Sequence, residues 1–185
     1  MKLIAGLGNP GRRYEKTRHN VGFDALERLA EMQPGGGRKA KFHGEVADAV
    51  VAGERALLLW PHTLMNRSGR SVQAAFDFYQ LELDDLLVVC DDFNLPLGTL
   101  RLRSRGSAGG QKGLNDIISQ LGSDQFSRLR IGIGPVPDGW DPADFVLGRF
   151  AQDERETVDQ TIKRAVEAVT CWVADGIDAT MNRYN

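Results

Sequence analysis

Short apolar segments alternate along this chain with longer segments whose apolar residues recur at helical spacing, and this alternation limits the possible fold more than any other feature. The strand-like segments cover residues 2–7, 42–51, 55–60, 86–90, 98–103 and 128–133. The helical segments cover residues 20–32, 63–79, 112–121 and 151–175. Strands interleaved with helices predict an α/β protein, and 185 residues without a repeat or linker predict one domain over residues 1–185.

Several boundary residues indicate how these elements are connected. A turn at residues 52–54 joins two strand-like segments, which predicts a hairpin and therefore a mixed sheet. Residues 34–37 are rich in Gly and Pro, which indicates a loop. Thr63 is predicted to cap the helix that runs to about residue 79, and Gly176 is predicted to end the last helix.

The segment at residues 86–90 is the most apolar strand candidate, and it stops at two consecutive carboxylates, Asp91 and Asp92. The carboxyl ends of strands in an α/β sheet form the usual ligand crevice. We therefore expect a functional site where this strand ends. Residues 98–103 alternate leucine with arginine, as expected for a strand at the sheet edge.

The composition and the ends of the chain exclude several classes of protein. With 42% hydrophobic and 26% charged residues, the chain is typical of soluble globular proteins. The first residues do not resemble a signal peptide, and no apolar stretch approaches the roughly 20 residues of a membrane span, so we expect a cytoplasmic protein. Cys90 and Cys171 lack disulfide or zinc spacing and are interpreted as buried thiols, and the scattered histidines suggest no metal site.

The net charge of −2 conceals two basic segments. Residues 1–20 carry five Lys or Arg against one acid, and residues 95–134 carry six against two. If the fold brings the two segments together, they form a patch suited to phosphates. On charge alone, a merely solvated surface explains the pattern equally well.

The segment at residues 6–11, GLGNPG, matches the glycine pattern of dinucleotide-binding proteins and follows a strand candidate. That pattern normally opens a helix at once and leads to a second strand ending in Asp or Glu about 20 residues later. Here residues 12–19 are polar and irregular, and the region of the second strand has helical spacing. The sequence context therefore argues against a nucleotide site.

His19 precedes the first predicted helix, and its near-neutral pKa range makes it a candidate general base. A carboxylate at the end of the central strand, Asp91 or Asp92, can accept its other ring N–H and fix the tautomer. Strand alternation points those two side chains to opposite faces, and the sequence does not say which one meets His19. A lone histidine is more often structural or simply exposed, so that alternative also stays open.

The chain has no G-x-S-x-G elbow, and its cysteines are interpreted as buried, which favours attack by an activated water. Such a reaction needs donors where the carbonyl oxygen gains charge, and neutral amides supply them. Asn9, Asn20 and Asn66 lie at or near predicted element boundaries. Each is alternatively explained as a turn or cap residue.

Three arginines on neighbouring predicted strands, with a lysine at a nearby helix start, form a candidate phosphate clamp: Arg101, Arg103, Arg130 and Lys112. For each one singly, a role in surface solubility is comparably supported.

Taken together, these motifs resemble the bacterial peptidyl-tRNA hydrolases, nearly from end to end. The matching segments are GLGNPGRRYEKTRHNVGF at 6–23, LMNRSG at 64–69, DDFNLPLG at 91–98, GSAGGQKGLNDII at 106–118, RLRIGIGPVP at 128–137 and FVLGRF at 145–150. The resemblance implies a monomeric, single-domain, Rossmann-like three-layer α/β fold around a mixed, mostly parallel sheet. It also implies hydrolysis of the ester between a peptide and the 3′-terminal ribose of tRNA, which recycles tRNA from stalled translation without metal or other cofactor.

The resemblance also implies roles for individual residues. His19 matches the general base, Asp91 its supporting carboxylate, and Asn9 the residue that reads the peptide beside the ester. Asn20 joins these as a candidate substrate-binding amide. The remaining matches are three positions that contact the substrate, Tyr14, Leu64 and Asn66, and a basic pair for the 5′-phosphate, Arg103 and Arg130. Lys112 occupies a further substrate-binding position of the family with a different residue.

Lys112 is the main departure from the family pattern, which usually has Asn there, and Gln111 stands beside it in place of a common His. A lysine donates to an oxyanion or a phosphate but does not accept a bond from water. We expect Lys112 to assist by charge. The alternative is a non-catalytic RNA-binding relative of the same fold, because chloroplast splicing factors share the fold and have lost the hydrolase role.

Overall fold

A seven-stranded sheet forms the centre of the computed structural model, which describes residues 1–33 and 37–185. Its strands are β1 (Lys2–Gly6), β2 (Lys39–Lys41), β3 (Gly44–Val51), β4 (Glu54–Pro61), β5 (Leu86–Pro96), β6 (Leu100–Arg103) and β7 (Ser127–Gly134). Their order is β2-β3-β4-β1-β5-β7-β6. The four central strands, β4, β1, β5 and β7, are parallel to one another. The pairs β2-β3 and β3-β4 at one edge and β6-β7 at the other are antiparallel. The predicted mixed sheet is confirmed.

Helices cover both faces of this sheet. They are α1 (Val21–Glu31), α2 (Ser68–Phe78), α3 (Lys112–Leu121), α4 (Pro142–Leu147) and α5 (Arg155–Tyr184). Alternate residues of β1 divide between two cores: Ile4 packs with α1 and α5, and Leu3 packs with α2 and α3. Each leucine or isoleucine buried in this way contributes roughly 1.5–3 kcal/mol. The predicted single-domain, three-layer α/β fold is therefore confirmed.

Two tight hairpins form the β2-β3-β4 edge. The predicted hairpin turns at Ala52 and Gly53, both with positive φ, and is confirmed. The strand predicted at 42–51 begins two residues late, because Phe42 and His43 also have positive φ and form a second two-residue turn. Such turns normally carry Asn or Gly, and neither residue type is present at this turn. Residues 34–36 of the loop predicted at 34–37 lie outside the described residues.

The prediction that the central strand stops at Asp91 is wrong. β5 continues to Pro96, and its pairing with β7 extends through Asp91 and Asp92 before an irregularity that ends at Pro96. Both carboxylates are buried inside the strand rather than placed in a loop after it. Both side chains find protein partners, Asp91 in His19 and Gln111, and Asp92 in Arg130, so neither carboxylate has to reach water.

One predicted helix boundary is also wrong, and one is confirmed. Thr63 caps no helix: its buried hydroxyl has no hydrogen-bond partner among the described residues, and a 3-10 turn (Met65–Arg67) precedes α2. Gly176, with φ 81° and ψ 177°, ends the first part of α5 as predicted, but a second helical part that was not predicted follows it and continues to Tyr184. This second part stays attached to the domain because Ile177, among others, packs against the hydrophobic core.

Among residues 1–33 and 37–185, no helix has the length and apolar character needed to cross a bilayer. The glycine pattern at 6–11 does not open a helix, since residues 7–11 are irregular and two 3-10 turns follow. The structure thus lacks the context of a dinucleotide fingerprint at this position.

Candidate active site

His19 lies on a 3-10 turn (Arg18–Asn20) that leads directly into α1, and it is 9% exposed. The turn is held by Arg18, whose guanidinium donates two hydrogen bonds to Glu154, at 3.1 and 2.8 Å, and stacks on Phe145 and Phe150. The backbone N–H of Arg18 also donates to the Gly148 carbonyl at 2.9 Å. These contacts fix the histidine-bearing turn to the segment around α4.

The Arg18–Glu154 pair should make stability depend on pH. Burial alone would raise the pKa of Glu154, but hydrogen bonds from Arg18 and from the Ala151 N–H, together with the Arg18 charge, lower it below its ordinary value. A lowered folded-state pKa stabilises the protein above the unfolded-state pKa, and this stabilisation is lost as the pH falls through the folded-state pKa.

We therefore expect Glu154→Gln to reduce the free energy of unfolding by roughly 1 kcal/mol at pH 7. The difference from the parent protein should shrink as the pH falls below 4.5, the ordinary pKa of the group. Urea unfolding at several pH values measures it, with the exposed Glu156→Gln as the matched control. A difference that stays constant down to acidic pH would contradict the assignment.

Asp91 is the carboxylate that meets His19. Its Oδ2 lies 2.8 Å from His19 Nδ1, and the aspartate is 2% exposed. Asp92 points elsewhere and accepts a hydrogen bond from Arg130 Nη1 at 3.1 Å, as strand alternation predicts. The question that the sequence left open is therefore answered by geometry, and Nε2 is left as the histidine nitrogen available to a water.

Gln111, which sequence reasoning assigned no role, completes this group. Its Nε2 donates to Asp91 Oδ1 at 3.0 Å, and its Oε1 accepts the Leu114 N–H at 2.8 Å, capping α3. Its place at the end of a glycine-rich loop, directly before a helix, was the available signal. Glutamine is not among the preferred capping residues, so the signal was weak.

Asn9 and Asn20 hold each other in place. The Asn9 N–H donates to Asn20 Oδ1 at 2.9 Å, and Asn20 Nδ2 donates to the Asn9 carbonyl at 3.0 Å. Asn9 Oδ1 accepts the Met65 N–H at 2.8 Å, which leaves its amide nitrogen as a donor at the cavity. Asn20 does not line that cavity and lies behind Asn9. We therefore interpret Asn20 as a residue that supports Asn9 and not as one that contacts the substrate directly.

A cavity of about 490 Å³ opens in front of His19 and Asp91. Four of the expected contact positions line it: Tyr14, Leu64, Asn66 and Lys112. Its apolar wall includes α4 residues, Val146 and Leu147, that sequence reasoning did not assign to the site. The two basic segments of the chain also meet here, since residues 9–19 and 109–112 both contribute to the lining.

The arginines of the expected clamp share the sheet face away from α5. In the β6-β7 ladder Arg101 lies opposite Arg130, and Arg103 opposite Arg128. Arg101 and Arg103 are exposed, whereas Arg128 is buried and donates to backbone carbonyls, including Asp124 O at 2.8 Å. Arg130 is half-buried between Asp92 and the Ala108 carbonyl, the latter 2.5 Å from its Nη2. Of the two arginines predicted to bind the 5′-phosphate, Arg103 is thus exposed to solvent, whereas Arg130 is largely occupied by protein partners.

The cavity lining contains neither a serine nor a cysteine. Cys90 precedes Asp91 but is fully buried, and burial raises the pKa of its thiol far above the ordinary value, so it is not a thiolate nucleophile. Both cysteines are free and buried, as predicted. Residues 1–33 and 37–185 hold no cluster of three or more metal-ligating side chains. The chemistry present is a histidine–carboxylate pair with amide and ammonium donors.

Comparison with known proteins gives consistent results. The family model described as peptidyl-tRNA hydrolase matches residues 3–185. The chain is 51% identical to the peptidyl-tRNA hydrolase of Rhodopirellula baltica, over 100% of this chain and 97% of that protein, and 46% identical to that of Lachnospira eligens, over 100% of both. A crystal structure of an Arg119Gln mutant of the Acinetobacter baumannii enzyme superposes with a TM-score of 0.91 at 38% identity, covering 98% of this chain and 93% of that one.

Proposed function

Since the chain belongs to the peptidyl-tRNA hydrolase family, we propose that it hydrolyses the ester between a peptide and the 3′-terminal ribose of tRNA with a water activated by His19. The observation that carries this mechanism is the buried His19–Asp91 pair, 2.8 Å apart, at the wall of the cavity that opens in front of His19. A histidine held by a buried carboxylate is an arrangement well suited to general-base catalysis.

The hydrogen bond to Asp91 determines the direction of proton transfer. Ionised Asp91 accepts the Nδ1–H of His19, so Nε2 carries the lone pair and removes a proton from the attacking water. The resulting hydroxide adds to the ester carbonyl carbon and forms a tetrahedral intermediate. As the intermediate collapses, the bond to the ribose 3′-oxygen breaks and the imidazolium of His19 returns the proton to that oxygen. The products are a peptide carboxylic acid and free tRNA, and Asp91 stays ionised throughout.

Donors around the cavity stabilise the charge that develops on the carbonyl oxygen. Asn9 and Asn66 offer amide N–H groups, and Lys112, at the first position of α3, offers an ammonium group. Because a lysine only donates, Lys112 acts on the oxyanion or a phosphate and not on the water's hydrogens. The apolar wall around Leu64 and Val146 is suited to a peptide side chain.

We assign tRNA phosphate binding mainly to the exposed arginines of β6. We further propose that the protein acts as a monomer in the cytoplasm, where translation produces its substrate. Arg103 is exposed and, among the described residues, pairs with no carboxylate, although its Nη1 donates to the Leu102 carbonyl at 2.8 Å, whereas Arg130 already compensates Asp92. Removing a cation that neutralises a nucleic-acid phosphate lowers the salt dependence of binding, so the two arginines are distinguishable.

Replacement of Arg103 by Gln is expected to reduce the slope of log Kd against log salt concentration by about one. Arg130→Gln should change that slope less, because its charge is already paired. Fluorescence titrations of tRNA at several salt concentrations measure both slopes, with Arg28→Gln on the opposite sheet face as control. Equal losses for Arg103 and Arg130 would show that both arginines contact phosphate.

The proposed function is tested by release of an N-acetylated amino acid from N-acetyl-aminoacyl-tRNA. Multiple turnover by the purified protein is the expected result. Tight tRNA binding without release would instead identify a non-catalytic RNA-binding relative.

A further inference from the structure

The side chain of Gln111 lies against the His19–Asp91 pair, and the mechanism above gives it no part. It is 8% exposed, and both ends of its amide are engaged within the protein. The nitrogen donates to Asp91 Oδ1 at 3.0 Å and lies 3.2 Å from Met65 Sδ, and the oxygen accepts the Leu114 N–H at 2.8 Å. Asp91 is therefore hydrogen-bonded at both oxygens, by Gln111 on one and His19 on the other.

The orientation of this amide is determined from two sides. With the amide rotated by half a turn, its oxygen would face the carboxylate of Asp91 and its NH₂ would face the N–H of Leu114. Both contacts would be repulsive, since acceptor would meet acceptor and donor would meet donor. The backbone of α3 therefore fixes Gln111 as a donor towards Asp91.

We propose that Gln111 is a positioning residue, which holds Asp91 aligned with His19 through an amide that does not change charge. The proposal rests on His19 being the general base of the proposed function. The other charged groups around Asp91 are Asp92, which pairs with Arg130, and Lys112 at the cavity lining. Where the family resemblance places a histidine, which can titrate near neutral pH, this chain has a neutral donor. The carboxylate that holds His19 is thus fixed by a hydrogen bond whose donor, the Gln111 amide, does not titrate.

The substitution Gln111→Glu separates this role from helix capping. The introduced carboxylate keeps the side-chain length and still accepts the Leu114 N–H, but it replaces a donor towards Asp91 by an acceptor. Two adjacent ionised carboxylates favour the imidazolium form of His19. The acidic limb of the kcat profile should therefore move up by about one pH unit, and kcat at pH 7 should fall severalfold, by at most about tenfold. Because the added charge is buried beside Asp91, the melting temperature should also fall, and the His19 titration decides the role of Gln111.

The matched control is Gln120→Glu, which adds the same charge at an exposed position on the same helix. It should leave the pH profile and kcat unchanged. A second readout does not require activity: the His19 imidazole is followed by NMR through a pH titration, and its signal is assigned among the three histidines with His19→Ala. The midpoint for His19 should rise by about one unit in Gln111→Glu only.

The outcomes separate the two proposals. An inactive parent protein would overturn the proposed function, while the NMR titration would still decide the role of Gln111. An active parent whose profile and His19 titration are unchanged by Gln111→Glu would overturn the positioning role. Loss of activity together with a lowered melting temperature, and without a change in the titration, would also overturn the positioning role, because destabilisation alone would then explain the loss.

Discussion

His19→Asn is expected to lower kcat about 10²–10⁴-fold while leaving the affinity for tRNA unchanged. The asparagine amide cannot take a proton from water at neutral pH, so the proposed reaction loses its base. Among the described residues, no hydrogen bond or ion pair joins the His19 side chain to Arg101, Arg103 or Arg130, so the phosphate contacts should survive. Release of N-acetyl-amino acid under single-turnover conditions measures the chemical step, and a tRNA titration measures binding.

His43→Asn is the matched control for this substitution. His43 is exposed in the tight turn between β2 and β3, and its φ of 54° is a conformation that asparagine adopts readily. This variant should keep the parent rate. A His19→Asn protein that retains most of its kcat would overturn the assignment of the base, and one that loses tRNA affinity in parallel would indicate that the turn itself had been disrupted.

The sequence predicts the layers of this fold well because its strands and helices differ in apolar period. β1 and the first half of β5 are buried on both faces and have continuous apolar runs, and α1 has a clear apolar stripe. The errors occur where tertiary contacts override local signals. Asp91 remains inside a strand because His19 and Gln111 satisfy it, and the chain after Gly176 stays helical because it packs on the core.

The candidate site is predictable only in part, because its geometry also depends on tertiary contacts. His19 and its carboxylate could be proposed from residue chemistry, but the choice between Asp91 and Asp92 depends on the direction of two side chains in one strand. The wall formed by α4 was not predicted because that helix has only six residues, too few for a periodic pattern. Contacts between distant segments, such as Arg18 with Glu154, leave no local signal at all.

Asp91→Asn is expected to lower kcat by about 10³–10⁴-fold, and the geometry explains why the loss should be so large. Gln111, fixed by the α3 backbone, presents a donor, so the new amide must turn its oxygen towards Gln111. Its NH₂ group then faces His19 Nδ1 and requires that nitrogen to be an acceptor. The proton moves to Nε2, which can no longer serve as the base. The single-turnover rate measures the loss, and His19 ¹⁵N shifts report the tautomer.

The double substitution Asp91→Asn with Gln111→Glu tests this chain of donors directly. The introduced carboxylate accepts from the new amide's NH₂, so the amide oxygen turns towards His19 and again accepts the Nδ1–H. The catalytic tautomer is restored without a charge beside the imidazole, and kcat should recover about tenfold over Asp91→Asn alone. A second substitution that is harmful by itself would then partly rescue the first. If the double variant is slower than both single variants, the hydrogen-bond directions assigned to Gln111 and Asp91 are wrong.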